Sequence, residues 1–114
     1  CRQLGEALAQ LVRMQEEPVL LIASSDLSHY EPQERAAAHD RGLISALCAL
    51  DPAALSQGLS AVSIPLCGLG AVQTVLTAAH LLGAGRGTLI RYGTSADAGG
   101  DPRSVIGYAG IVIR

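Results

Sequence analysis

Three short stretches of the chain hold most of the side chains able to do chemistry: Ser24, Ser25, Asp26, Ser28 and His29 in one run, Cys67-Gly68, and Thr94-Ser95 followed by Asp97 and Asp101. Cys67 with His29 as base and Asp26 to orient it is a coherent nucleophilic set, because a thiolate forms readily beside an imidazole and at a helix N-terminus. A small buried cysteine without chemistry is the alternative for Cys67. Serine chemistry fits less well. No G-x-S-x-G elbow exposes a hydroxyl, and Ser28 and His29 are backbone neighbours with no reason to face each other. Thiolate and imidazole are also good ligands for zinc, iron or copper, but a centre takes about three or four protein donors. His29 and Cys67 cannot close one by themselves. His80 lies on the polar arc of a helix and reads as exposed, and His39 at the edge of an apolar arc reads as partly buried and structural. The Asp97 to Asp101 stretch lacks the spacing of a calcium loop and its glycines do not open a helix, so it reads as a turn satisfied by its own carboxylates.

These segments need elements to position them. Leu4, Leu8, Leu11 and Val12 recur at helical spacing, which predicts an amphipathic helix from about Arg2 to Gln15, stopped by Glu16-Glu17-Pro18. The apolar run from Pro18 to Ser24 has no alternation and predicts a central strand buried on both faces of a mostly parallel sheet. Ser24 to Pro32 is then the loop at its carboxyl end, where open α/β sheets bind ligands. A helix follows from Pro32 to about Leu50, with Ala36, Leu43, Ile44, Leu47 and Leu50 on one arc. Asp40 falls in the middle of that arc and requires hydrogen-bond partners or an opening. Asp51-Pro52 begins a short helix to about Ala61, Ser63 to Gly70 is a loop, and a helix runs from about Leu69 to Leu82, stopped by Gly83. Gly87 to Ser95 and Ser104 to Arg114 are two strands around a Gly/Asp-rich connection. Gly107 and Gly110 inside the last strand predict close approach of another backbone or a bulge.

The 114 residues fit one domain, 49% hydrophobic and 16% charged with a net charge of -2, which excludes a disordered chain and a basic nucleic-acid surface. All eight cations are arginine, and with no phenylalanine or tryptophan the core must be filled by Leu, Ile, Val and Ala. Three widely spaced cysteines without a C-x-x-C pair point to a reducing cytoplasm. The longest apolar run, Val19 to Ala23, falls far short of the roughly 20 residues of a membrane span.

Taken together, Ser24-Ser-Asp-Leu-Ser-His29-Tyr-Glu-Pro32, Cys67-Gly68, Arg91-Tyr-Gly-Thr-Ser-Ala-Asp97, Gly100-Asp101 and Ser104-Val-Ile-Gly-Tyr-Ala109 resemble the C-terminal half of the Memo-like family. Its bacterial and archaeal members are called AmmeMemoRadiSam system protein B. The resemblance implies an α/β fold related to class III extradiol dioxygenases, with a mostly parallel central sheet flanked by helices, and makes residues 1–114 the C-terminal part of a single Memo-like domain. It implies that Cys67 is a metal ligand and that His29 lines the pocket as an acid/base group with Asp26 beside it. The two further ligands are histidines of the N-terminal half, which this chain does not contain, and the cofactor is non-haem iron or copper, with zinc possible. Leu69 stands where an aromatic is common, and Ala96-Asp97-Ala98-Gly99 replaces a more usual Gly-Asp-Val-Ser; neither removes a site residue. The implied function is a metal-binding redox protein acting on a small-molecule substrate. The alternative is a non-catalytic protein- or peptide-binding module. Implied partners are a radical SAM protein and an AMMECR1-like protein. A bare sheet edge further predicts that this chain alone is inactive and associates with itself.

Overall fold

The computed structural model describes residues 1–50 and 66–114; the helix expected over 51–61 lies outside them. In chain order the elements are helix α1 (Arg2–Arg13), strand β1 (His29–Glu31), helix α2 (Gln33–Ala49), helix α3 (Leu69–Leu81), strand β2 (Gly87–Thr94), a 3₁₀ turn (Ser95–Ala98) and strand β3 (Val105–Ile113).

The three strands form a sheet in the order β1-β3-β2, and both pairings are antiparallel, so the expected mostly parallel sheet is corrected. The chain between β2 and β3 explains the sense of the pair. Residues 95–104 hold only a 3₁₀ turn, whereas a parallel pair needs a crossover of about a dozen residues or more, usually a helix. The β2–β3 ladder carries a bulge at Ile90, the extra residue between the Leu89–Ile111 and Arg91–Gly110 pairs, which places Gly110 at the irregularity.

The expected central strand over 18–24 is also corrected. Among the described residues no backbone group of this run is hydrogen-bonded, and Leu20 and Ile22 are 81% and 77% exposed. An apolar run becomes a strand only when a neighbour supplies the ladder, and the strand that β3 pairs with on this side is β1, further along the chain. The run instead flanks a cleft of about 600 Å³ against α3 and the end of β3, lined by Leu27, Leu66, Val72, Leu76 and Ile111.

Helix α2 packs on the sheet through the arc that the spacing predicts. Ala36, Leu43, Ile44 and Leu47 are buried, and the last three join Leu27, Leu66 and Val72 in the core. Pro32 stands just before the first turn, with its fixed φ of -57° and an extended ψ of 141°. Helix α1 forms where expected but buries a different face. Gly5 and Ala9 are its buried residues, while Leu4 and Leu11 are exposed. A Cβ at Gly5 would stand 2.6 Å from Thr77 Cβ and 2.8 Å from the Thr74 carbonyl oxygen. The two helices thus meet at near-backbone distance at Gly5, while Leu4 and Leu11 stay exposed and Leu8 and Val12 are half-buried. The Arg13 guanidinium donates to the Leu81 carbonyl at the C-terminal end of α3, a place that favours a cation.

Candidate functional site

The Ser24 to Pro32 segment is a loop only as far as Ser28. From His29 it turns into β1, paired His29 to Ile106 and Glu31 to Val105 of β3. The strand therefore delivers His29 at a sheet edge in place of the expected free loop. Its side chain is 16% exposed, and Nε2 stands 3.8 Å from Asp26 Oδ2, an ion-pair distance longer than a hydrogen bond. Asp26 is the more open partner at 42% exposure. His29 Nδ1 is buried and has no hydrogen-bond partner among the described residues. A ring with one nitrogen facing a carboxylate and the other unpaired has the equipment to take up or pass on a proton, the work for which imidazole is suited near neutral pH.

Cys67 is exposed, which departs from the buried reading of a small cysteine. It precedes Gly68, whose left-handed φ of 73° caps the start of α3. A direct bond joins the two motifs: Ser25 Oγ donates to the Cys67 carbonyl. The contact continues at Gly68, where a Cβ would stand 2.5 Å from the Ser24 carbonyl oxygen. The Cys67 backbone and the His29–Asp26 pair are thus fastened to opposite ends of one short loop.

The third motif is occupied with its own turn. Asp97 Oδ2 accepts the Thr94 backbone N–H at 2.7 Å, and Ser95 Oγ accepts the Ile106 N–H at 3.1 Å. Asp101 accepts the guanidinium and then the backbone N–H of Arg103, which hold its carboxyl below the usual range. His80 is exposed on α3, and His39 Nδ1 is 2.8 Å from Glu31 Oε2, a pairing that pins α2 to β1. The Arg35 guanidinium reaches the same carboxylate at 3.3 Å.

Asp40 is fully buried, as its place on the apolar arc of α2 demands. Its Oδ1 accepts the Ser28 backbone N–H at 3.0 Å and the Ser28 hydroxyl at 2.7 Å, and its Oδ2 accepts the Tyr92 hydroxyl at 2.8 Å. The sequence signals this cluster only through Asp40 itself. Tyr92 carries no local mark, because its partner is 52 residues away along the chain. Burial raises the Tyr92 phenol well above its usual value of 10.0, and the Asp40 carboxylate raises it further. The sign follows from linkage. The unfolded phenol ionises near pH 10 while the folded one stays protonated, so this stabilisation is complete below pH 10 and fades as pH rises above it. In denaturant titrations the wild type is expected to lose stability above pH 10 more steeply than Tyr92→Phe; parallel curves would refute the coupling.

Iron, copper or zinc requires about three or four protein donors. Among the described residues no three His, Cys, Asp or Glu side chains gather in a metal-binding group. The described residues therefore do not form a complete centre by themselves. Cys67 is the soft donor of the three motifs.

An α/β unit that hangs a cysteine and a histidine–aspartate pair from one loop at the sheet edge is the class of protein this geometry defines. The family model described as Memo-like protein matches residues 1–112. The chain belongs to the Memo-like family. It is 36% identical over 113 residues to a MEMO1 family protein of Methanopyrus kandleri, covering 99% of this chain and 40% of that one. A MEMO1 family protein of Methanococcoides burtonii is 41% identical over 112 residues, covering 98% and 42%. One of Pyrobaculum arsenaticum is 38% identical over 113 residues, covering 99% and 40%. The chain thus spans about 40% of the length of these curated relatives. No described helix is long and apolar enough to cross a membrane.

Proposed function

We propose that this chain carries the cysteine side of a non-haem metal-binding redox site related to that of the class III extradiol dioxygenases. Cys67 is one ligand, His29 with Asp26 is the proton-handling pair, and two histidines outside this chain complete the coordination of iron or copper, or of zinc. The observation that carries the reading is the bond from Ser25 Oγ to the Cys67 carbonyl, which ties the thiol-bearing loop to the loop that ends in His29. A thiolate donor favours these softer metals over magnesium or calcium.

The test is the iron, copper and zinc content and affinity of the full-length protein and of Cys67→Ala. Loss of a ligand is expected to weaken affinity by more than about 100-fold, beyond the 10–100-fold typical of losing an outer-shell partner. Unchanged stoichiometry and affinity would remove Cys67 from the ligand set.

The exposed Leu20 and Ile22 favour a second reading, a module that binds a protein partner such as a radical SAM or AMMECR1-like protein. The same preparations separate the two. Partner co-purification that persists in Cys67→Ala, with no metal bound in the wild type, supports the module over the redox site.

A further inference from the structure

Asp40 does more than fill a place in the core. A carboxylate at a fully buried site loses its hydration and is tolerated only when donors replace the water, whereas an aliphatic residue there would complete the apolar arc without that cost. The donors it gathers are specific. Both polar hydrogens of Ser28 converge on Oδ1, and the Tyr92 hydroxyl on Oδ2 fixes the plane of the carboxylate. Around the same residue, the Leu27 N–H donates to the Gly107 carbonyl and the Gly107 N–H to the Ser28 carbonyl, each at 2.9 Å. Ser28 is thereby held by helix α2 on one side and by β3 on the other. The next residue is His29.

We infer that Asp40 is a positioning residue for His29, acting through Ser28. This rests on the reading that His29 is the proton-handling group of the site. With Ser28 clamped, the backbone entering His29 has one orientation, which sets Nε2 at 3.8 Å from Asp26 Oδ2 and the ring 5.8 Å from that of Tyr30. Releasing Oδ1 frees the Ser28 side chain and the peptide between Leu27 and Ser28, leaving Ser28 held only through its carbonyl on Gly107, and so changes where both ring nitrogens of His29 point.

The test reads the imidazole nitrogens of His29 by NMR in the full-length protein, kept metal-free with a chelator. The variants are Asp40→Ala, Ser28→Ala, Ser28→Thr and Tyr92→Phe, and His80 serves as the internal reference. Asp40→Ala, which removes the acceptor, and Ser28→Ala are expected to shift and broaden the His29 nitrogen signals while those of His80 stay in place. Ser28→Thr, which keeps the hydroxyl, is expected to restore them. Tyr92→Phe removes a bond to Oδ2 and leaves the Ser28 side intact, so its His29 signals are expected to match the wild type. Unmoved His29 signals in folded Ser28→Ala overturn the inference, and this variant decides alone should Asp40→Ala fail to fold. A Tyr92→Phe shift as large as that of Ser28→Ala also overturns it, since the effect would then be general loosening. Because no metal is present, absent metal binding at Cys67 together with a normal His29 response counts against the function reading and leaves the positioning role standing.

Discussion

Gly107→Ala is expected to destabilise the full-length protein by about 3–5 kcal/mol, the range for overpacking combined with disturbance of a buried carboxylate's partners. A Cβ at this position would stand 2.0 Å from Asp40 Oδ2 and 3.4 Å from Leu27 Cβ. Neither neighbour has an easy retreat. Asp40 is fully buried and bonded to Ser28 and Tyr92, and moving it would leave three donors without an acceptor. Moving β3 would break the pairing of Gly107 with Leu27 and Ser28. Gly110→Ala is the control, because nothing lies within 4 Å of its added carbon, and it is expected to stay within about 0.5 kcal/mol of wild type. Urea denaturation midpoints of the two variants check the contrast. Equal midpoints would mean that the strand does not press on Asp40.

The second large effect is expected at Gly68, where two costs add. The residue has a φ of 73°, a left-handed backbone that costs an L-residue about 1 kcal/mol relative to glycine, and its added carbon would meet the Ser24 carbonyl oxygen at 2.5 Å. The obstacle is backbone, so the overlap adds about 1–3 kcal/mol, for a total of about 2–4 kcal/mol in Gly68→Ala. Gly83→Ala isolates the first cost. Its φ is 97° with nothing within 4 Å, and about 1 kcal/mol is expected from denaturation. The Gly68 change also has a functional side. It pushes the Cys67-Gly68 turn away from Ser24 and Ser25, so metal affinity is expected to fall in Gly68→Ala and to hold in Gly83→Ala. Similar stabilities and affinities in the two variants would contradict the close joint between the motifs.

Much of this architecture is legible along the chain, and the limits of legibility have physical causes. Helical periodicity places α2 and its buried arc correctly, because an amphipathic stripe is a local property. The anomaly of Asp40 within that stripe is legible for the same reason. The face that α1 buries is not, since the outcome depends on how closely α3 approaches. A glycine and an alanine are buried there ahead of Leu4 and Leu11 because Thr74 and Thr77 lie at near-backbone distance from Gly5. The run over 18–24 has the composition of a buried strand, yet strand formation needs a partner, and composition does not supply one. The antiparallel sense of β2 and β3 follows from their short connection, whereas the pairing of His29–Glu31 with Val105–Ile113 joins segments distant in sequence, which no local pattern announces.

By itself, then, the sequence determined the membership in the Memo-like family, the helical segments, the need for a partner at Asp40 and the three motifs with their reactive residues, because these depend on residue type and short-range spacing. Only the tertiary structure decided which motifs touch. It bonds Cys67 to Ser25, sets His29 beside Asp26, turns Asp97 and Asp101 to the service of their own turn, and gives Ser95 to β3. It also supplied Tyr92 as the distant donor to Asp40. The reason is the same in each case: a hydrogen bond between residues far apart in sequence exists only after the sheet and helices have brought donor and acceptor within about 3 Å.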